Sequence, residues 1–280
     1  MAKDAVLTPS SGISPPQALR LMDDLTALVA RACAEVAAIS PATVVRRLKP
    51  DQSPVTAADE ASETVILRGL TRILPNIPIV SEESINADAR ADLAKSFVII
   101  DPLDGTREFL AGRDEYTVNL AIVTSGIPVA GIIAAPKREQ LWRGVLGHGA
   151  ERLRLLKNGA DRVQAIKTRR WPDAHPVVTI SRSHLDAETD RFVNALGPIT
   201  RVASGSAIKF CHVAEGSADV YPRLATTCEW DVAAGHALVA AAGGIVTTPH
   251  GTPLRYGHAT ENFRVPAFIA WGDPAKAPRS

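Results

Sequence analysis

Phe97-Val98-Ile99-Ile100-Asp101-Pro102-Leu103-Asp104-Gly105-Thr106 carries the signals that decide how this chain is built. Its four leading apolar residues predict a buried strand whose carboxyl end delivers Asp101. Pro102 has no N–H to give a ladder, so strand pairing is expected to stop there and the chain to turn. Asp104-Gly105-Thr106 then opens a short helical pattern toward Leu110. A turn of this kind gathers two carboxylates and the carbonyl of Leu103, hard oxygen donors suited to Mg²⁺. The amides of Gly105 and Thr106 would lie at a helix N-terminus, where aligned N–H groups favour a phosphate. Taken alone, the stretch also fits an ordinary acidic turn, because Asp-Gly is a common turn pair.

Acids recur on either side. Ser81-Glu82-Glu83-Ser84 follows the apolar run Ile77 to Val80, which places Glu82 at a second strand end, although a Glu pair equally suits a solvated face. Trp230-Asp231 opens a helix rich in small residues that Gly243-Gly244 closes. An acid in a first helical turn is favoured by the helix dipole alone.

Apolar residues spaced by three and four predict amphipathic helices over Gln17–Ile39 and Asp59–Ile73. The segment from Lys49 to Thr56 between them is too rich in Pro and polar groups for a helix interior. Short β-prone runs follow at Ile77–Val80, Phe97–Ile100, Thr117–Val123 and Val129–Ala134, which suggests an antiparallel sheet backed by the first two helices. Lys157 to Pro176 reads as a loop-rich join. Beyond it come a strand at Val177–Ser181, helices near Ala187–Leu196 and Ala207–Glu215, a strand near Ala218–Tyr221 and the helix from Asp231. The chain thus divides into a flexible tail (1–16), an α+β half for metal and phosphate (17–160) and an α/β half for substrate recognition (161–280).

A formal net charge of +1 gives no global field for a nucleic-acid polymer or a membrane surface, so an anionic ligand must be met by local groups. Cys33, Cys211 and Cys228 are too few and too widely spaced for a disulfide framework or a zinc site, which points to a reducing compartment. No apolar run has the length of a spanning helix or the form of a signal peptide, so a cytoplasmic protein is expected, with loose peripheral membrane association and a homo-oligomer both left open. There is no His-Glu-x-x-His, no dinucleotide fingerprint, no Walker loop and no Gly-x-Ser-x-Gly elbow.

In order and spacing, Glu82-Glu83, the Asp101–Thr106 stretch and Trp230-Asp231 with its small-residue helix resemble the inositol monophosphatase superfamily, lithium-sensitive and magnesium-dependent phosphatases, over about residues 17 to 270. A narrower resemblance is to the CysQ-type 3′(2′),5′-bisphosphate nucleotidases. It rests on Asp51 to Asp59, Ile180-Ser181-Arg182-Ser183-His184, Gly205 to Cys211, Val213-Ala214-Glu215-Gly216 and Tyr221-Pro222-Arg223. The resemblance implies an α/β fold, the αβαβα sandwich of the sugar phosphatases. It implies that Glu82, Asp101 and the Leu103 carbonyl hold one Mg²⁺, and that Asp101 bridges to a second completed by Asp104 and Asp231, with room for a third near Glu82. Asp59 and Thr106 would orient or deprotonate the attacking water, Glu82 assisting. Gly105, Ser181, His184, Gly205, Ser206, Lys209 and Arg223 would meet the substrate, together with Thr106 and Asp231.

The expected reaction is hydrolysis of adenosine 3′,5′-bisphosphate to AMP and phosphate. The alternative is an inositol-1-phosphate or fructose-1,6-bisphosphate phosphatase with the same metals. A catalytically silent metal or phosphate sensor would lack one of the acids or the water-activating pair, and none is missing. On chemistry alone, His184 reads as a surface residue and Lys209 as a solvated helix residue; only the resemblance makes them ligands. Glu229 adds an acid beside Trp230.

Overall fold

A computed structural model describes residues 12–48, 54–84, 93, 95–157 and 159–278. Helix α1 spans Pro15–Ala38 and helix α2 Ala57–Ile73, with a short hairpin of β1 (Arg46–Leu48) and β2 (Pro54–Thr56) between them. The Asp51–Ser53 part of the quoted motif lies outside the described residues, as does most of the expected tail. The part of the tail that is described is packed. Ile13 is buried, its N–H donates to Ser96 Oγ at 2.8 Å and its carbonyl accepts from Thr124 Oγ1 at 2.8 Å. Pro15 then opens α1, where a missing N–H costs nothing.

Seven strands form the larger sheet in chain order: β3 (Ile79–Ser81), β4 (Ser96–Asp104), β5 (Thr117–Thr124), β6 (Ile127–Ala135), β7 (Gln140–Val145), β8 (Gly149–Leu156) and β9 (Gly159–Ile166). Only β3 runs parallel to its neighbour β4; the other pairs are antiparallel. The expected loop-rich join is corrected here: Gly159–Ile166 is a paired strand, so the 160/161 division falls inside it.

Side chains alternate across this sheet, as the two-residue period of a strand requires. Val98, Ile100, Leu120 and Ile122 pack on α1 and α2. Phe97, Ile99, Ala121 and Val123 pack on the opposite face, against α5 (Ile208–Ala214) and α6 (Glu229–Ala241). A central strand buried on both faces reads as the uninterrupted apolar run from which it was predicted.

Helix α6 is apolar on all sides, with Trp230, Val232, Ala233, Ala237, Leu238 and Val239 buried, which marks a helix enclosed by other elements. Its far side meets a second sheet ordered β11 (Thr200–Ser204), β10 (Val177–Ser181), β12 (Val220–Arg223), β16 (Phe268–Trp271) and β14 (Ile245–Thr247). Helix α4 (Ala187–Ala195) closes the outside of that sheet through Phe192 and Val193. The layers are therefore helix, sheet, helix, sheet, helix, the expected αβαβα sandwich. A two-residue ladder of β13 (Thr227–Cys228) with β15 (Arg264–Val265) leads into α6. Among the described residues no helix is long and apolar enough to cross a membrane. All three cysteines are free, two of them buried.

Candidate active site

Strand β4 ends where the sequence places its acids, but not in the expected way. Pairing with β5 does not stop at Pro102. It skips Pro102 and Leu103 and resumes at Asp104, opposite Thr117. The result is a bulge, which re-aims side chains at a sheet margin. The bulge is pinned from below, where Ser62 Oγ donates to the Pro102 carbonyl at 2.7 Å, and from within, where the Leu103 N–H donates to Asp101 Oδ1 at 3.0 Å. Gly105 follows with φ of +89°, a conformation other residues enter only with strain, and caps the five-residue helix α3 (Thr106–Leu110).

Asp101, Asp104 and Asp231 converge, with ligand oxygens all within 4.8 Å of one another. Asp231 arrives from the first turn of α6, where Cys228 N–H donates to its Oδ2 at 3.1 Å and the Thr227 hydroxyl makes a close bond to the same oxygen. Asp101 is 1% exposed and its Oδ2 has no hydrogen-bond partner among the described residues. A buried, unpaired carboxylate oxygen among other acids is costly unless a cation answers it. Burial holds the Asp101 carboxyl well above the usual range, and Glu82, Asp104 and Asp231 push it further in the same direction. The Asp104 carboxyl is pushed up to about 6 by burial and by Asp231, against the pull of the Ser206 hydroxyl and Lys209. Hard oxygens in this arrangement suit divalent cations such as Mg²⁺.

Beside this cluster stands Thr106. Its hydroxyl lies 3.2 Å from Asp59 Oδ1 and 3.2 Å from the Leu103 carbonyl. Asp59 closes a capping box at the start of α2, accepting from Thr56 N at 2.8 Å and Thr56 Oγ1 at 2.7 Å. One carboxylate oxygen is thus fixed by its own helix and the other is left for Thr106. Burial raises the Asp59 carboxyl, opposed by the bonds from Thr56.

The second half supplies the opposite wall. Glu82, Leu103, Gly105 and Thr106 line the same cavity as Ser181, His184, Gly205, Ser206, Lys209 and Arg223, above the three aspartates. Lys209 is not the solvated helix residue that its chemistry allowed. It is 3% exposed, gives bonds to the carbonyls of Ser204 (3.3 Å) and Ser206 (2.5 Å), and stands 5.2 Å from the centre of the Tyr221 ring. Burial lowers its ammonium to about 8. An ammonium has three donors, so one is left over for an anion. Arg223 Nε is buried with no acceptor among the described residues. His184 does stand at the exposed rim, within 3.0 Å of Arg107 Nη1, and burial and Arg107 lower its imidazolium. Ser206 joins the walls, its hydroxyl donating to Asp104 Oδ2 at 2.7 Å.

Sequence reading passed over Arg107, Glu108 and Glu115. Arg107 meets His184, Glu108 accepts from Ser183 Oγ at 2.5 Å, and Glu115 takes both nitrogens of the Arg182 fork at 2.6 and 2.8 Å. No local spacing signals pairs that are more than sixty residues apart. Glu229 is not part of the aspartate cluster. Its carboxylate accepts from the amides of Gly257 (2.7 Å) and His258 (2.9 Å) and from His258 Nδ1 (3.0 Å), so it anchors a loop.

Comparison with known proteins agrees with this geometry. The model of the inositol monophosphatase family matches residues 20–267. The 3′(2′),5′-bisphosphate nucleotidase CysQ of Escherichia coli (strain K12) is 41% identical over 221 residues, which cover 79% of this chain and 86% of that protein. The crystal structure of CysQ from Bacteroides thetaiotaomicron, a bacterial member of the inositol monophosphatase family, matches with a TM-score of 0.75 at 33% identity, over 94% of this chain and 98% of that one. An inositol monophosphatase from Zymomonas mobilis matches with a TM-score of 0.70 at 26% identity, over 90% and 94% of the two chains. With its acids, sandwich and sequence in agreement, the chain belongs to the inositol monophosphatase family.

Proposed function

We propose that this protein is a Mg²⁺-dependent 3′(2′),5′-bisphosphate nucleotidase that converts adenosine 3′,5′-bisphosphate to AMP and phosphate. One observation carries the reading: an acidic floor that calls for cations and a buried, cationic wall share one cleft. A nucleotide with two phosphates needs both. One phosphate reacts over the floor while the other is held by Lys209 and Arg223, and His184 at the rim meets the nucleoside. The relatives that are 41% identical carry the same activity in their names. Inositol 1-phosphate, with one phosphate, leaves the buried Arg223 nitrogen unanswered, and for fructose 1,6-bisphosphate, which has two, it is the bisphosphate nucleotidase relatives that weigh against the alternative.

Glu82, Asp101, Asp104, Asp231 and the Leu103 carbonyl would hold two Mg²⁺ ions, and the orphaned Asp101 oxygen fits that role. Bound there, the ions supply Lewis acidity and neutralise charge on the transferring phosphoryl group. The chain's own part is proton handling and orientation. Thr106 Oγ accepts a hydrogen bond from the attacking water while its own proton is turned to Asp59 Oδ1. Asp59, buried and fixed on its other oxygen, takes the proton through Thr106. On this reading water attacks directly, with no covalent intermediate. Glu82, which lines the same cleft, would assist. Phosphate release measured across nucleotide bisphosphates, inositol 1-phosphate and fructose 1,6-bisphosphate, with Mg²⁺ and with a chelator, tests the whole reading. Turnover in excess chelator would sink the metal mechanism.

A further inference from the structure

Two turns must hold a fixed separation for the cleft to work. One runs from Asp104 through Gly105 to Thr106 and carries acids and water-orienting groups. The other runs from Ser204 through Gly205 to Ser206 and carries the backbone that holds Lys209. Both rest on Glu115. A methyl group placed on Gly105 would lie 3.2 Å from the Glu115 carbonyl oxygen. One placed on Gly205 would lie 2.8 Å from that same oxygen and 3.0 Å from Glu115 Cβ. The two glycines therefore press on one residue from opposite halves of the molecule.

The Glu115 side chain adds polar bonds to this close packing. Oε2 accepts from the Gly205 amide at 3.1 Å and from Arg182 Nε at 2.6 Å, and Oε1 accepts from Arg182 Nη2 at 2.8 Å. Arg182 Nη2 also donates to the Ala203 carbonyl at 2.7 Å, so the guanidinium spans β10 and β11 while it is held by β5's approach. Arg138 Nη2 lies 3.6 Å from Oε1. Glu115 is 7% exposed, and two cations answer its charge. It is not among the residues that line the cleft. A carboxylate so neutralised does not repel a bisphosphate, nor does it bind one. Two residues on from Glu115, Thr117 Oγ1 lies 2.5 Å from Ser206 Oγ, the hydroxyl that bonds Asp104.

We propose that Glu115 is a positioning residue that sets the substrate-reading wall at its working distance from the acidic floor, with Arg182 as its partner. The claim rests on the nucleotidase reading for its substrate but not for its geometry. A fork-to-carboxylate pair fixes direction as well as distance, which a single contact cannot. Loss of the pair lets the 181–184 loop and the Gly205 turn drift while the floor stays intact. A substrate that touches both walls suffers, and one that touches only the floor does not.

The test uses the full-length protein with Mg²⁺ and compares wild type, Glu115→Gln, Arg182→Gln and the double variant. For each, kcat and KM are measured with adenosine 3′,5′-bisphosphate and with p-nitrophenyl phosphate, alongside a melting curve. In each single variant KM for the nucleotide is expected to rise on the order of 10-fold or more, as for loss of a charge-assisted contact. The double variant should lose no more than either single one, because each removes the same pair. Activity on p-nitrophenyl phosphate and the Mg²⁺ dependence should stay within about 2-fold. Arg182→Lys, which keeps the charge but loses the fork, should show the same pattern more weakly. Equal losses on both substrates, or additive losses in the double variant, would overturn the proposal and leave Glu115 a general support of the fold. If wild type prefers inositol 1-phosphate, the nucleotidase reading fails by itself. The positioning claim is then decided by the same ratio with that substrate over p-nitrophenyl phosphate.

Discussion

The floor and the wall of the cleft are built on opposite plans. The floor is made of acids delivered by the ends of regular elements: Asp101 and Asp104 by the bulged end of β4, and Asp231 and Asp59 by the first turns of α6 and α2. Helix N-termini favour negative charge, so part of the cost of gathering carboxylates is met locally. The wall joins a buried cation to a loop held by distant partners. Lys209 sits on its own turn and over Tyr221, while the loop from Arg182 to His184 is fastened residue by residue to Glu115, Glu108 and Arg107. A floor built this way needs ions to be stable. A wall built this way needs the two halves of the chain to be in register.

If the floor carries the chemistry, damage there should have the largest effect. Asp101→Asn is expected to abolish turnover while the circular dichroism spectrum stays native, since it would take a charged oxygen from the centre of the proposed cation site. Retained turnover would break the distinction between floor and wall. Thr106→Ala should lower kcat by about 10²–10⁴, the usual range for an acid–base group, with smaller changes in KM and in Mg²⁺ dependence. If KM rises and kcat is untouched, Thr106 belongs with the binding groups instead. Damage to the wall should cost less. His184→Ala with Lys209→Ala should cut kcat/KM for adenosine 3′,5′-bisphosphate by roughly one to two decades, and should cut it far less for a small phosphomonoester.

The smallest expected effect is on stability. Folding raises the carboxyls of Asp101 and Asp104 above their ordinary value of 3.8, the latter to about 6. A group raised on folding adds stability below its unfolded value, and that stability is lost as pH climbs through its folded value. Protein stripped of metal should therefore lose melting temperature between pH 5 and pH 7 relative to protein in saturating Mg²⁺, on the order of a few degrees. His236, lowered to about 4 by burial, works in the opposite direction, but equally with and without metal, so the difference between the two curves isolates the floor. Superimposable curves would mean that the acids do not hold cations.

The same contrast explains what could be read in advance. Asp231 and Asp59 lie in first helical turns and were placed through resemblance, whereas Asp101 and Asp104 were legible because they sit in one short run after an apolar strand, and strand ends are visible in a sequence. The form of the β4 end was not, because a bulge depends on which residues of β5 pair across it. Strands β7, β8 and β9 were not foreseen, and in β8 charged residues hide the pattern. In β8, Leu153 and Leu155 are buried between Arg152, Arg154 and Leu156, a two-residue period masked by arginine. The wall was visible only through resemblance. Lys209 owes its burial to Tyr221 and to the close packing of α5, and Arg182 owes its place to Glu115, partners that no local pattern reveals.

The central claim is that one cleft pairs a cation-dependent floor with a wall that reads a second phosphate. Its most direct test is the ratio of kcat/KM for adenosine 3′,5′-bisphosphate to that for inositol 1-phosphate, measured with Mg²⁺ and again after chelation. The account predicts a ratio well above one with Mg²⁺, and no measurable turnover of either substrate without it. A ratio below one, or turnover that survives the chelator, would contradict it.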